Sequence, residues 1–275
     1  MTFFSPALRR MTGVRVVLPA DHEPATHQHV HPEGTPWRTL YLLGGYMHDR
    51  SSLLSHTRVA ELANELDLCV VMLDCRNRFY VDSEHTGEAW STFVSEELIA
   101  FTRTVLPLSR EREETFLGGI SMGGEGTVIN VLQHPEVFGG AAVLSSGFKR
   151  DIIISNAGDH PLPSFYSKEY FETAFDMDDL REFEGSRFDT DHLAYQVAER
   201  AQEGAGERPA FFLCCGTDDE AHPKGLAYHE LLLSLGYDST WWDAPGGHHW
   251  DFWASALEPA MRWVASRPQC GGRAG

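Results

Sequence analysis

Three short stretches of this 275-residue chain hold the residue types that together perform acyl chemistry. "FLGGISMGGEGT" carries Gly119-Ile120-Ser121-Met122-Gly123, "CCGTDDE" carries Asp218 and Asp219, and "APGGHHWDFW" carries His248 and His249. A serine hydroxyl is a poor nucleophile near neutral pH. It needs an imidazole to take its proton and a carboxylate to orient that imidazole. The G-x-S-x-G stretch lies between an apolar run, 115–120, and a helix-like pattern. That is the context in which a tight strand-to-helix turn exposes a serine. Gly119 and Gly123 allow strand and helix to approach closely, and a helix N-terminus favours negative charge beside Ser121. Alone the pentapeptide is a weak signal, because glycine-rich strand-to-helix turns are common. Serine, acid and histidine in this order, each at the end of an apolar run, are far more specific.

A tetrahedral intermediate also needs two backbone N–H groups aimed at its oxyanion. One is expected from Met122, the residue after the serine. The other is expected from "LLGGYMHDR", after the apolar run 38–45, with Gly45 or Tyr46 as the donor.

The elements that must position these groups follow from patterning. Short runs rich in Val, Leu, Ile and Phe at 14–19, 38–45, 69–74, 115–120, 140–147, 210–217 and 239–245 read as strands buried on both faces. Amphipathic stretches at 52–65, 88–105, 122–134, 224–235 and 250–266 read as helices between them. The alternation predicts an α/β fold with a mostly parallel central sheet flanked by helices. The whole chain, 1–275, reads as one domain. The segment 148–208 is too long for an ordinary connection and mixes aromatic with acidic residues. It is expected to be a small insertion, a lid over the carboxyl ends of the strands, where open α/β sheets bind ligands. The competing reading is a helical crossover away from the substrate.

Composition narrows the function classes. The net charge is −18, from 22 Lys and Arg against 40 Asp and Glu. This argues against nucleic acid or an anionic membrane as partner, since phosphate binding needs clustered cations. Five cysteines, none in a C-x-x-C pair and several inside apolar runs, read as free thiols in a reducing compartment. No segment approaches the roughly 20 apolar residues needed to cross a bilayer, and a cytoplasmic protein is expected.

The blocks "TLYLLGGYMHD", "CVVMLDCRNRFYVD", "EAWSTFVSEEL", "FLGGISMGGEGT", "LCCGTDDE" and "GGHHWDFW" resemble those of the cytoplasmic esterases of the putative-esterase group. Tributyrin esterase and esterase D (S-formylglutathione hydrolase) are relatives, within the α/β-hydrolase superfamily. The similarity runs from 38–45 to the last helix, apart from 148–208, and is greater to the tributyrin-esterase branch. It implies an α/β-hydrolase fold and a serine carboxylesterase that cleaves short acyl or acetyl esters through an acyl-serine. A small-molecule ester is then the partner, with no cofactor. By position the resemblance makes Ser121 the nucleophile, Asp219 the acid with Asp218 as fallback, and His248 the base. The Gly246-Gly247 turn fits that choice, since it lets the next side chain swing back towards the serine. Relatives usually carry His-Gly where this chain has Gly44-Gly45, which bears on the packing of the oxyanion loop. Thioester hydrolysis, as of S-formylglutathione, and acyl transfer to an alcohol are the alternatives. A glutathione site would draw on Arg76, Arg78 and Lys149. A binding module that had lost catalysis would show a broken triad, and all three members are present. The sequence leaves a homo-oligomer open.

Other features carry weaker signals. "DCRNRFYVD" follows run 69–74, so Arg76, Arg78, Phe79 and Tyr80 are expected at the rim on the leaving-group side, with Arg78, Phe79 and Tyr80 as substrate contacts and core or lid packing of the two aromatics as the competing reading. Trp90 is expected to pack beneath that loop. His27, His29 and His31 alternate as on one strand face, but no Cys or carboxylate accompanies them or His22, and a solvent-facing loop is expected rather than a metal site. "FDMDDLREFEG" lacks calcium-loop spacing and reads as a solvated face.

Overall fold

In strands buried on both faces, successive side chains must enter two different cores, and the apolar runs satisfy this directly. Tyr41, Leu43, Val71, Leu73 and Leu117 pack on one side of the sheet, and Leu40, Leu42, Val70, Met72 and Phe116 on the other. The computed structural model describes residues 1–19, 34–74, 76–155 and 167–268. The histidines at 22, 27, 29 and 31, and Cys75 and Cys270, lie outside these residues.

Eight strands form the main sheet. They are β1 (Thr2–Ser5), β2 (Arg10–Val17), β3 (Thr39–Leu43), β4 (Cys69–Leu73), β7 (Thr115–Ile120), β8 (Gly140–Leu144), β9 (Ala210–Gly216) and β10 (Ser239–Ala244). Their order is β1-β2-β4-β3-β7-β8-β9-β10. From β4 to β10 all neighbours are parallel; β1 and β2 form an antiparallel edge on β4. A separate ribbon pairs β5 (Asp82–Ser83) with β6 (Glu88–Ala89). The helices are α1 (Ser52–His56), α2 (Val59–Glu65), α3 (Trp90–Thr92), α4 (Leu98–Val105), α5 (Met122–Gln133), α6 (Arg150–Ser155), α7 (Lys168–Phe175), α8 (Thr190–Gln202), α9 (His222–Ser234) and α10 (Trp250–Ser266).

Several boundaries differ from the sequence reading, each for a local reason. The strand expected at 14–19 begins at Arg10, because β1 pairs with it as a hairpin that the patterning did not reveal. The helix expected over 52–65 breaks at Thr57, which is extended and whose hydroxyl donates to Leu53 O at 2.6 Å. Glu88 and Ala89 belong to the ribbon rather than to the next helix, and a π-helical turn, Phe93–Glu97, joins α3 to α4. The 148–208 segment divides. Its last helix, α8, packs on α5 and α9 as the crossover that parallel β8 and β9 require, while α6 lies at its start. No helix among the described residues is long and apolar enough to cross a membrane.

Arg38, just before β3, ties the two ends of this architecture together. Its Nε and Nη2 donate to Glu114 at 2.7 and 2.9 Å, and Nη1 donates to Val264 O, Ala265 O and Arg267 O at 2.7–3.1 Å. Those carbonyls close α10, whose other end follows directly on His249.

Candidate active site

Ser121 stands between β7 and α5 with φ 55° and ψ −116°. A non-glycine residue held there costs about 1–3 kcal/mol, so the surroundings must enforce it. They do so from both sides. The Ser121 N–H donates to Leu144 O at 2.8 Å, and Ser121 O accepts from the Glu125 N–H at 3.1 Å. The glycines make the turn this tight. A Cβ on Gly119 would lie 2.2 Å from Gly123 O, and one on Gly123 would lie 2.4 Å from Leu43 O.

The acid and the histidine arrive on two loops locked against each other. Asp218 N–H donates to Gly246 O at 2.9 Å, and a Cβ on Gly216 would lie 2.1 Å from that same oxygen. Gly246 has φ +145°, a conformation that favours glycine. This contact brings Asp219 Oδ2 to 2.7 Å from His248 Nδ1, and His248 Nε2 to 2.8 Å from Ser121 Oγ. Asp219 Oδ1 accepts the Ala221 N–H at 2.9 Å. Burial pushes the Asp219 carboxyl up, but the His248 and Ala221 hydrogen bonds outweigh it and hold it below its ordinary value. An ionised Asp219 fixes the proton on Nδ1, which leaves Nε2 to accept from the serine hydroxyl. The carboxylate is 2% exposed and the imidazole 42%, so the acid is sealed while the histidine faces the solvent side. Such a line can pass the serine proton to the imidazole as Oγ attacks a carbonyl.

Asp218 is exposed and takes no part in this line. His249 turns away too: its Nε2 accepts the Gly247 N–H at 3.3 Å. A pocket of about 490 Å³ opens beside His248, with Lys149, Ile152, Asp218, Glu220 and Lys224 in its wall.

The loop after β3 is braced from beneath. Gly45 N–H, one of two candidates for the oxyanion hole, instead donates to His48 Nδ1 at 3.0 Å. Tyr46 remains the candidate on that loop, with Met122 at the start of α5. His48 stacks on Trp250 at 4.5 Å, and Trp250 stacks in turn on His56 at 4.4 Å. Trp253 meets both His48 and His248 edge-on, at 5.6 and 5.1 Å. Burial, then the neighbouring His56 and His248, push the His48 imidazole down to about 4, so it is neutral and able to accept. Sequence reasoning missed this brace, although His48 lies three residues beyond Gly45.

The rim expectation is corrected. Phe79 and Tyr80 are buried, not substrate-facing, because both sit at left-handed φ (52° and 60°) that folds the loop back over the core. Phe79 packs on Phe175 at 4.8 Å. Tyr80 donates through its hydroxyl to Gly44 O at 3.0 Å and meets Trp90 edge-on. Arg78 lines a different cleft, away from the His248 pocket. Glu125 is a further residue that the motif reading passed over. It is 1% exposed, with Oε1 accepting the Lys149 N–H at 2.8 Å and Oε2 buried without a partner. A charged residue in the first turn of a buried helix was the available signal. Among the described residues no group of three metal-ligating side chains converges.

Comparison with known proteins shows the family and the fold. The family model described as Putative esterase matches residues 5–264. An acetyl esterase of Caldicellulosiruptor saccharolyticus is 32% identical over 270 residues, covering 96% of this chain and 97% of the relative. Among solved structures, a fluorophosphonate-binding serine hydrolase of Staphylococcus aureus superposes with a TM-score of 0.79 at 24% identity, over 97% of each chain. An S-formylglutathione hydrolase of the same organism gives 0.77, also at 24% and over 97% of each. With the sheet order, the strained serine turn and the Asp219–His248–Ser121 line already established, the chain belongs to the Putative esterase family and is an esterase of the α/β-hydrolase fold.

Proposed function

We propose that this esterase is a serine carboxylesterase that hydrolyses short-chain acyl or acetyl esters of small alcohols through an acyl-serine intermediate. The carrying observation is the unbroken hydrogen-bonded line from Asp219 through His248 to Ser121. His248 Nε2 takes the hydroxyl proton as Ser121 Oγ bonds to the ester carbonyl carbon. The resulting oxyanion is held by the N–H groups of Met122 and Tyr46, and removal of one such donor costs about 3 kcal/mol of barrier. The tetrahedral intermediate collapses, the C–O bond to the alcohol breaks, and His248 returns its proton to the leaving oxygen. Water, deprotonated by His248, then attacks the acyl-serine and releases the carboxylic acid and free Ser121. Asp219 stays ionised throughout and stabilises the imidazolium.

The name of the curated relative supports an acetyl or similarly short acyl group. The half-exposed His248 favours water over an alcohol as acceptor, hence hydrolysis over acyl transfer. Lys149 and Ile152, from the start of the 148–208 segment, make that segment a wall of the pocket in this reading. Buried free thiols at Cys69, Cys214 and Cys215 suit a reducing, cytoplasmic compartment.

The test is turnover of p-nitrophenyl acetate, butyrate and octanoate, with S-formylglutathione as the thioester arm. Ser121→Ala and His248→Ala should each lower kcat by about 10⁴-fold or more, while His249→Ala keeps most of it. Wild-type turnover no greater than that of Ser121→Ala, or loss confined to His249→Ala, would overturn the mechanism. A rate that rises steadily to octanoate, or is largest on the thioester, would overturn the substrate class.

A further inference from the structure

A second cleft, of about 580 Å³, lies where the β1–β2 turn, the loop after β4 and the β5–β6 ribbon meet. It shares no lining residue with the pocket beside His248. Arg9, Arg10, Arg76 and Arg78 face it, in a chain whose net charge is −18.

Among the described residues, three of these four arginines are not tied up by carboxylates. Arg38, Arg50, Arg58, Arg112, Arg150, Arg181, Arg262 and Arg267 each bind a carboxylate. Arg9, Arg76 and Arg78 bind none among the described residues. Arg10 is fixed in place, with Nε on Glu88 at 2.9 Å and its guanidinium over the Trp90 ring, yet its Nη2 is buried without a partner. Three of the acids nearby are already engaged. Glu88 also accepts from Trp90 Nε1 at 3.0 Å, and Asp176 and Asp178 lie against His85 at 3.6 and 4.0 Å.

The backbone holds this arrangement at positions where no glycine eases it. Arg9, Arg76 and Asn77 have φ of 51°, 47° and 54°. The loop is pinned by Asn77 Oδ1 accepting the Met47 N–H at 2.8 Å and by Asn130 Nδ2 donating to Tyr80 O at 2.9 Å. Those bonds hold the loop after β4 in place, so that Arg76 and Arg78 are presented on a fixed backbone.

We propose that this cleft binds a small phosphorylated molecule, with the guanidinium groups of Arg9, Arg76 and Arg78 gripping its phosphate oxygens and the fixed Arg10 adding positive charge beside them. Guanidinium forks match phosphate oxygens bidentately. The volume is that of a small-molecule site and exceeds what one inorganic ion fills. The acidic remainder of the surface repels extended polyanions such as nucleic acid. This site is independent of the esterase reading.

Calorimetric titration of the whole protein at low ionic strength tests it, with pyrophosphate as probe and citrate as the carboxylate arm. Pyrophosphate should bind saturably at one site and more tightly than citrate. The double variant Arg9→Gln/Arg76→Gln should weaken it at least tenfold. Both side chains are exposed and unpaired, so the variant should melt as the wild type does. Arg9→Gln alone should leave p-nitrophenyl acetate turnover unchanged. Absence of saturable pyrophosphate binding, equal affinity in the double variant, or tighter binding of citrate would each overturn the proposal.

Discussion

Glu125 sits four residues beyond Ser121, fully buried, with one carboxylate oxygen on the Lys149 N–H and the other without a partner. Burial pushes its carboxyl up to about 7, against the opposing pull of Lys149 and Lys224. The folded state therefore holds this proton between the ordinary value of 4.5 and about 7, where the unfolded chain has lost it. Stability from this group is present at low pH and falls as pH rises through that window, by about 3 kcal/mol in all. His48 works in the opposite sense. With its value lowered to about 4, its contribution is present above 6.5 and is lost as pH falls below it. The wild-type curve mixes both slopes, so the informative quantity is the difference from a variant. Glu125→Gln keeps the acceptor for Lys149 and removes the charge. In urea unfolding it should be more stable than the wild type at pH 8, by about 2–3 kcal/mol, and nearly equal at pH 4.5. A difference that does not vary with pH would show that the buried charge is not its source. This residue, like His48, shows where the sequence stopped short. The motif identified Ser121 by its glycines, and Asp219 and His248 were matched to a family pattern. Glu125 needs the knowledge that every side of α5 is covered, which no local spacing carries.

Elements meet at this site with almost no clearance, and glycine sets the distance. A Cβ on Gly119 would stand 2.2 Å from Gly123 O and 2.8 Å from Thr127 Oγ1, both parts of α5. Gly119→Ala must push α5 off β7, at a cost of about 3 kcal/mol. Because Ser121 lies between the two elements, kcat should fall in the protein that remains folded. A melting temperature and kcat both like the wild type's would mean that the turn is more yielding than its geometry. The strands were legible because burial on both faces leaves an unmistakable apolar run. The β1–β2 edge was not, since β1 has only four residues and two of them face solvent. The loop after β4 was misread for another reason. Arg76, Asn77, Phe79 and Tyr80 all take left-handed φ without a glycine among them. Their side-chain directions therefore come from tertiary bracing by Tyr80 and Asn130, and not from propensity.

Across the whole molecule, one buried cation carries much of the closure. Arg38 is 5% exposed and Glu114 8%, and removing one partner of a buried ion pair leaves the other uncompensated. Arg38→Met should destabilise by about 3–5 kcal/mol, read as a lower urea midpoint. Arg38→Met with Glu114→Leu should recover a large part of the loss. No recovery in the double variant would mean that the carbonyls of α10, rather than Glu114, are what need the arginine. The same residue has a consequence for the order in which the protein can be made. Its partners at Val264, Ala265 and Arg267 lie 226 to 229 residues further along the chain. On the α10 side of the sheet, Phe116, Ala142, Leu144 and Phe212 are covered by a helix that follows all eight strands of the sheet in the chain. A nascent chain emerging at about 5–20 residues per second thus holds this face of its hydrophobic core only partly covered, by α1 and α2, until α10 arrives. His248 arrives only just before it. Catalytic competence and protection from aggregation are acquired together, once α10 has emerged, and ribosomes stalled short of α10 should yield chains that depend on chaperones.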